Sequence, residues 1–303
     1  MSPVAGPVAS STGAQNTPNG GGSGALTPTK DKHPQGRLSA RQLAVISQQL
    51  TSRDRQVMRT VSQFRVMSGA QLGRLFWPEG SPQTHGRLAR RGLRRLVRLD
   101  VLQPLARRVG GERSGSASTT FALGRAGQHL LHAERSPKRR IRRPHTPGAR
   151  YLAHTLAVAG LYVALVDAER RGLVELLAFD PEPGCWRPYM GAYTARLTLK
   201  PDAYLKLAIG EYDHSWFIEQ DMATEAQTTI EAKARRYHDY YRTGTEQAAR
   251  GVFPRVLWIV PSEPHAEVVR KTLGRLPADA HRLFAVSTTA EALTLLTGTG
   301  AVS

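Results

Sequence analysis

Two short segments carry the residue types most able to do chemistry. One is Lys200-Pro201-Asp202, which leads into the apolar run from Ala203; the other is Phe217-Ile218-Glu219-Gln220-Asp221. Side chains alternate along a strand, so Phe217, Glu219 and Asp221 are expected on one face and Trp216, Ile218 and Gln220 on the other. Two carboxylates among apolar neighbours disfavour joint ionisation unless a cation compensates them. With Asp202 on the neighbouring strand, three carboxylates would converge, and a hard divalent ion, Mg2+ or Mn2+, would be the natural ligand. Such an ion can activate water and stabilise displacement at phosphorus. Asp202, Glu219 and Asp221 are thus candidate catalytic residues, with Asp202 and Glu219 the candidate metal ligands. On the helix expected next, Glu225, Thr229, Lys233 and Tyr237 are four apart and share a face. Lys233 is the candidate catalytic cation there, while an apolar stripe through Ile230, Ala234 and Tyr241 gives Tyr237 an alternative place in the core.

The second cluster is cationic. Between Ser81 and Leu99 lie Arg87, Arg90, Arg91, Arg94, Arg95 and Arg98, with no acidic residue in the span. At about 100° per residue, positions 87, 91, 94 and 98 stay on one helix face, while the apolar positions 88, 96 and 99 fall on another. The guanidinium fork pairs bidentately with phosphate and with guanine edges, so this face is expected to bind nucleic acid, duplex DNA first. Gln83, Thr84 and His85 near the helix start are candidates for base contacts. Arg107, Arg108 and Arg113, in the following hairpin, are candidates for phosphate contacts.

The elements that must position these groups can be read in order. Thr51 or Ser52 caps a helix continuing through Val57, Val61 and Phe64; Ser68 caps a shorter one, Ala70 to Phe76, ended by Pro78 and Gly80. The arginine helix follows, then two strands, Val101 to Val109 and Thr119 to Leu123, around a Gly/Ser-rich tip. A helix from Gly124 to Glu134 closes the unit. Three helices and a hairpin in this order read as a winged helix-turn-helix over residues 49–134. Residues 1–48 read as a disordered tail, and 135–150, rich in proline and basic residues, as a linker. From 151 to 303, a helix, four strands, a helix, and then strand, helix, strand and helix predict a mixed sheet flanked by helices. Inside the first of these helices His154 reads as a satisfied core histidine, and Cys185 and Trp186 fall in a loop without a role.

Composition agrees with this partition. The 303 residues carry a net charge of +18, but residues 1–150 hold 26 Lys and Arg against 6 Asp and Glu, and the remainder 16 against 18. The excess charge thus belongs to the leading half, as a polyanion-binding module requires. A single cysteine, Cys185, excludes an internal disulfide and a cysteine zinc site. Residues 1–30 contain no apolar block like that of a secretory signal, and the cytoplasm is the expected compartment. The most apolar stretch, Tyr151 to Ala168, is interrupted by His154 and Asp167 and reads as a buried helix, so no membrane partner is expected.

Pro201-Asp202 followed by Glu219-Gln220-Asp221 resembles the Pro-Asp…(Asp/Glu)-x-Lys signature of a nuclease superfamily built on a mixed sheet flanked by helices. The signature lysine is replaced by Asp221, and the spacing of Lys233 and Tyr237 is similar to a Gln/Tyr pair in some branches. In order, Leu50 to Asp54, Gln71 to Phe76, Thr120 to Gly124, His154 to Val158, Pro201-Asp202, Phe217 to Asp221 and Lys233 to Tyr237 resemble the replication-relaxation family of plasmids and mobile elements. The resemblance implies an α+β or α/β chain, a winged helix-turn-helix followed by a restriction-endonuclease-like domain. It implies a DNA-binding protein of plasmid replication or relaxation, with replication or transfer proteins as partners. Two other readings remain open: a Mg2+- or Mn2+-dependent endonuclease nicking DNA at Asp202 and Glu219, and a winged-helix transcription regulator.

Overall fold

Helix signals in the leading half are local, and the chain follows them. The computed structural model describes residues 38–105, 119–135, 148–191 and 195–298. Helix α1 (Ala40–Gln49), α2 (Ser52–Phe64) and α3 (Gly69–Phe76) each begin with a capping box, formed by Ser39 with Gln42, Thr51 with Asp54, and Ser68 with Gln71. In each, the cap hydroxyl and the third-residue side chain satisfy each other's free backbone N–H groups. Helix α4 (Pro82–Arg98) starts with Ser81 as cap and a proline in its first turn. Part of the span expected to be a disordered tail is therefore helical: the Ser39 box starts α1, and Leu38, Leu43 and Ile46 pack on the core, while residues 1–37 lie outside the described residues.

Strands β1 (Val66–Ser68), β2 (Leu102–Pro104) and β3 (Thr120–Leu123) form an antiparallel sheet with β3 in the middle, and α5 (Arg125–Arg135) follows. Met67 and Pro104 both pair with Phe121. β1 was not anticipated, since three residues are too few to show a period. The hairpin tip, with Arg107, Arg108 and Arg113, lies outside the described residues.

The second half is built on a five-stranded sheet in the order β10-β9-β8-β7-β4. Strands β4 (Glu175–Pro181), β7 (Ala203–Ile209) and β8 (Tyr212–Gln220) are antiparallel; β9 (Arg255–Val260) and β10 (Phe284–Thr288) run parallel to β8. A separate ribbon pairs β5 (Arg187–Met190), in a stretch expected to be loop, with β6 (Arg196–Leu199), where a strand from Tyr193 to Leu199 is expected. Alternation sorts the side chains. Trp216, Ile218, Leu257 and Ile259 join a core with helix α6 (Ala149–Arg170). Phe217, Val256, Trp258 and Val260 face a second core with α7 (Gln227–Arg242) and α9 (Glu263–Leu273). Short helices α8 (Thr245–Arg250), α10 (Ala278–His281) and α11 (Ala292–Thr297) complete the described chain.

Helix α6 joins the two halves. It is apolar around its circumference because it packs on the sheet and also on α3 and β1. Rings of Phe64, Tyr162 and Phe179 stack with centroids 5.0 to 5.8 Å apart. Polar ties cross the same seam. Gln71 Nε2 donates to the Leu156 carbonyl at 2.7 Å, Gln63 Nε2 to the Phe179 carbonyl at 2.9 Å, and Arg74 pairs with Asp167 at 2.6 Å. By length and composition alone α6, with His154 and Asp167 within it, is long and apolar enough to cross a membrane. Val158, Ala159, Val163, Leu165 and Ala168 are nonetheless buried within the protein.

Candidate functional site

The arginine face is as exposed as its spacing demands, with one exception. Arg87, Arg90, Arg91, Arg94 and Arg98 are exposed and, among the described residues, make no ion pair. With Pro104 and Phe121 they line a groove of about 1350 Å3 beside α3. Arg95 points elsewhere. It pairs with the buried carboxylate of Asp54 and donates to the Gln49 carbonyl at 3.2 Å, which ties α4 to the start of α2. It is a structural cation; Arg90 also lies off the 87-91-94-98 stripe yet is exposed, so the helical period alone does not single Arg95 out. The buried face is Ala89, Leu93 and Leu96 rather than the stripe through Leu88, which is 44% exposed. Gly92 lets this face close, since a Cβ there would meet the Trp77 ring at 2.4 Å. Thr84 is exposed at the helix start, where its N–H donates to Ser81 Oγ at 3.3 Å. The Gln83 side chain lies outside what is described.

The carboxylate centre sits where β7 and β8 meet α6 and α7. Asp202 occupies the turn before β7, held by its own N–H on the Ile218 carbonyl at 3.0 Å. Its Oδ2 accepts from the Gln220 N–H at 2.7 Å, and its Oδ1 lies 3.2 Å from His154 Nε2. Glu219, 2% exposed on β8, accepts from Tyr237 Oη at 2.5 Å and from Lys233 Nζ at 2.9 Å. Lys233 Nζ also donates to Glu225 Oε1 at 2.9 Å. The structure thus brings together Asp202, Glu219 and Lys233, and Tyr237 is at once part of the core and a hydrogen-bond donor to Glu219.

Electrostatics follow from this burial. Desolvation, reinforced by the Asp202 charge, pushes the Glu219 carboxyl up to about 7 against the pull of Lys233 and Tyr237. For Lys233, burial works against the charged form, but the carboxylates of Glu219, Asp202 and Glu225 outweigh it and raise its affinity for the proton. The hydrogen bond to Asp202 raises the His154 imidazole above its ordinary value despite partial burial.

Two expectations change here. Asp221 does not complete a three-carboxylate cluster: its Oδ2 lies 2.7 Å from His265 Nε2 on α9, and its Oδ1 accepts from the Ala223 N–H. Among the described residues no group of three or more His, Cys, Asp or Glu is arranged to hold a metal ion. His154, expected to be a satisfied core histidine, finds its partner in Asp202, which it braces; its helical neighbours hold no acid, so only the fold supplies that partner. Cys185 gains a part as well. Its Sγ donates to the Pro201 carbonyl at 2.9 Å and steadies the turn that carries Asp202.

A family described as replication-relaxation matches residues 58–256, which include the arginine helix and the carboxylate centre. No curated protein matches the chain, and no solved structure matches it. With about two thirds of its length matched by that one family, the chain belongs to the replication-relaxation family.

Proposed function

We propose that this protein binds duplex DNA of a plasmid or mobile element during its replication or relaxation, working in the cytoplasm. The leading helices and β1-β3-β2 sheet act as a winged helix-turn-helix, and the five-stranded sheet as a restriction-endonuclease-like domain. The observation that carries this reading is the row of five exposed arginines on α4 with no acidic partner among the described residues. Five guanidinium groups on one short helix repel one another, and a phosphate backbone relieves that repulsion. In a helix-turn-helix the second helix of the motif lies in the major groove, and α4 follows α3 in that position. Replication or transfer proteins are the expected partners.

Binding of the full chain to a ~20-base-pair duplex, measured by anisotropy across a salt series, tests the reading. Each neutralised phosphate contributes about −0.9 to the slope of log K against log salt, so about five contacts predict a slope between −4 and −5. A slope near −1 would remove the arginine footprint.

A second reading, a metal-dependent endonuclease, draws on one observation: Lys233 from α7 stands 2.9 Å from Glu219, where the strand lysine of the signature is missing. The donor set does not fit a divalent ion as it stands. Both oxygens of Asp202 and both of Glu219 already have partners in Gln220, His154, Tyr237 and Lys233. Nicking of supercoiled plasmid in Mg2+ or Mn2+, abolished by Asp202→Ala and by Glu219→Ala, would establish the enzyme. Equal nicking by both variants and the unaltered protein would end this reading. The third reading, a transcription regulator, has no observation of its own in the second half.

A further inference from the structure

Beside the carboxylate centre, at the start of α6, lies a cavity of about 450 Å3 that neither reading above uses. Its wall includes Arg150, Tyr151 and His154 from α6, together with Gln220, Thr224 and Glu225. Arg150 is exposed and, among the described residues, has no carboxylate partner; only one of its nitrogens is engaged, with the carbonyl and hydroxyl of Thr224 at 2.9 and 2.6 Å. Tyr151 is held in place by Arg65, whose guanidinium donates to the phenol oxygen at 2.6 Å and lies 6.0 Å from the ring centre. The acids in the wall have partners: Asp221 Oδ2 lies 2.7 Å from His265 Nε2, and one oxygen of Glu225 accepts from Lys233, which Glu219 shares. The other oxygen of Glu225 is buried without a hydrogen-bond partner.

We propose that this cavity seats an unpaired stretch of DNA, a second nucleic-acid contact separate from the arginine face. The inference rests on the DNA-binding reading and extends it. Each feature matches one part of a nucleotide. Arg150 offers free N–H donors to a phosphate. Tyr151 offers a fixed aromatic face for a base, which stacks irrespective of sequence but only when the base is unstacked from its own helix. The bare oxygen of Glu225 accepts from a base N–H. A volume of this order admits one nucleotide and its neighbours' phosphates, whereas a duplex keeps its base faces closed. Replication and relaxation both generate unpaired strands, so the class of reaction supplies such a ligand.

Anisotropy with the full chain tests this, using a labelled ~12-nucleotide oligothymidine and a labelled ~20-base-pair duplex. Arg150→Ala combined with Tyr151→Leu should weaken oligonucleotide binding at least about 10-fold while duplex affinity stays within about 2-fold. Tyr151→Phe keeps the ring and should bind the oligonucleotide nearly as the unaltered protein does. Replacing Arg91, Arg94 and Arg98 should do the reverse, lowering duplex affinity and sparing the oligonucleotide. Crosslinking with a 4-thiothymidine oligonucleotide to the unaltered protein needs no variant to fold, and it should label a peptide from the start of α6. Labelling confined to α4, or a double variant whose oligonucleotide affinity stays within about 2-fold, overturns the proposal. If instead the arginine variant leaves duplex binding unchanged, the α4 reading fails while the oligonucleotide result still decides the seat.

Discussion

Replacing Arg91, Arg94 and Arg98 together with alanine is expected to weaken duplex binding about 100-fold or more at moderate salt. Three phosphate contacts would go, and the salt slope should flatten by nearly 3, to about −2. The fold should be untouched, because these side chains are exposed and make no ion pair among the described residues. Exposed charges of this kind contribute under about 1 kcal/mol to stability, so the melting temperature should move by only a few degrees. Arg95→Ala is the matched contrast. It leaves the Asp54 carboxylate, only 3% exposed, with its capping bonds but without its cation. The outcome there should be a lower melting temperature with the salt slope nearly unchanged. If the triple variant binds as tightly as the unaltered protein, or the Arg95 variant alone flattens the slope, the assignment of faces on α4 is wrong.

Lys233→Met is expected to destabilise the protein by about 2–3 kcal/mol at pH 8 and by distinctly less at pH 5. Removing one partner of a buried pair strands the other charge, which typically costs 3–5 kcal/mol; the 30% exposure of the Lys233 side chain places it at or below the low end. The pH dependence comes from Glu219. Its folded-state carboxyl titrates near 7, above its value in an unfolded chain. A raised carboxyl contributes stability that is complete below the unfolded value and is lost as pH rises through the folded one. The neutral acid therefore tolerates loss of Lys233 at pH 5, whereas the carboxylate at pH 8 does not. Glu219→Gln removes the titration, and in the double variant it should restore most of the stability lost at pH 8. Urea midpoints of the four proteins at both pH values measure this, each compared with Glu219→Gln at the same pH so that other titrations cancel. An unchanged midpoint for Lys233→Met at pH 8, or no restoration by Glu219→Gln, would show that Lys233 does not compensate Glu219.

Several parts of this arrangement were legible because their causes are local. The caps at Thr51, Ser68 and Ser81 start helices where a hydroxyl can reach N–H groups two or three residues on, and the boundaries follow within a residue. The arginine face of α4 needs only the helical period and the charge of its own residues. Strand β9 was read with its observed bounds, since an apolar run of six between turns permits little else. Asp202 approaching Glu219 followed on the condition that their strands are neighbours, and β7 and β8 pair.

What could not be read required partners distant in the chain. Strand β1 is three residues long and is a strand only because β3 pairs with it. Arg95 looks like its neighbours until Asp54, 41 residues earlier, claims it. Asp221 shares a face with Glu219 by alternation, yet the arrival of α9 gives it to His265. His154 meets Asp202 only because α6 lies across the end of β7, and the two halves share a core because α6 is apolar on every side. The amino-acid sequence alone determined where α2, α3 and α4 start, which residues are charged and which alternate, since those depend on neighbours within a turn or two. The tertiary structure decided which charges stay free and which are neutralised, because an ion pair depends on distance in space and the fold sets that distance.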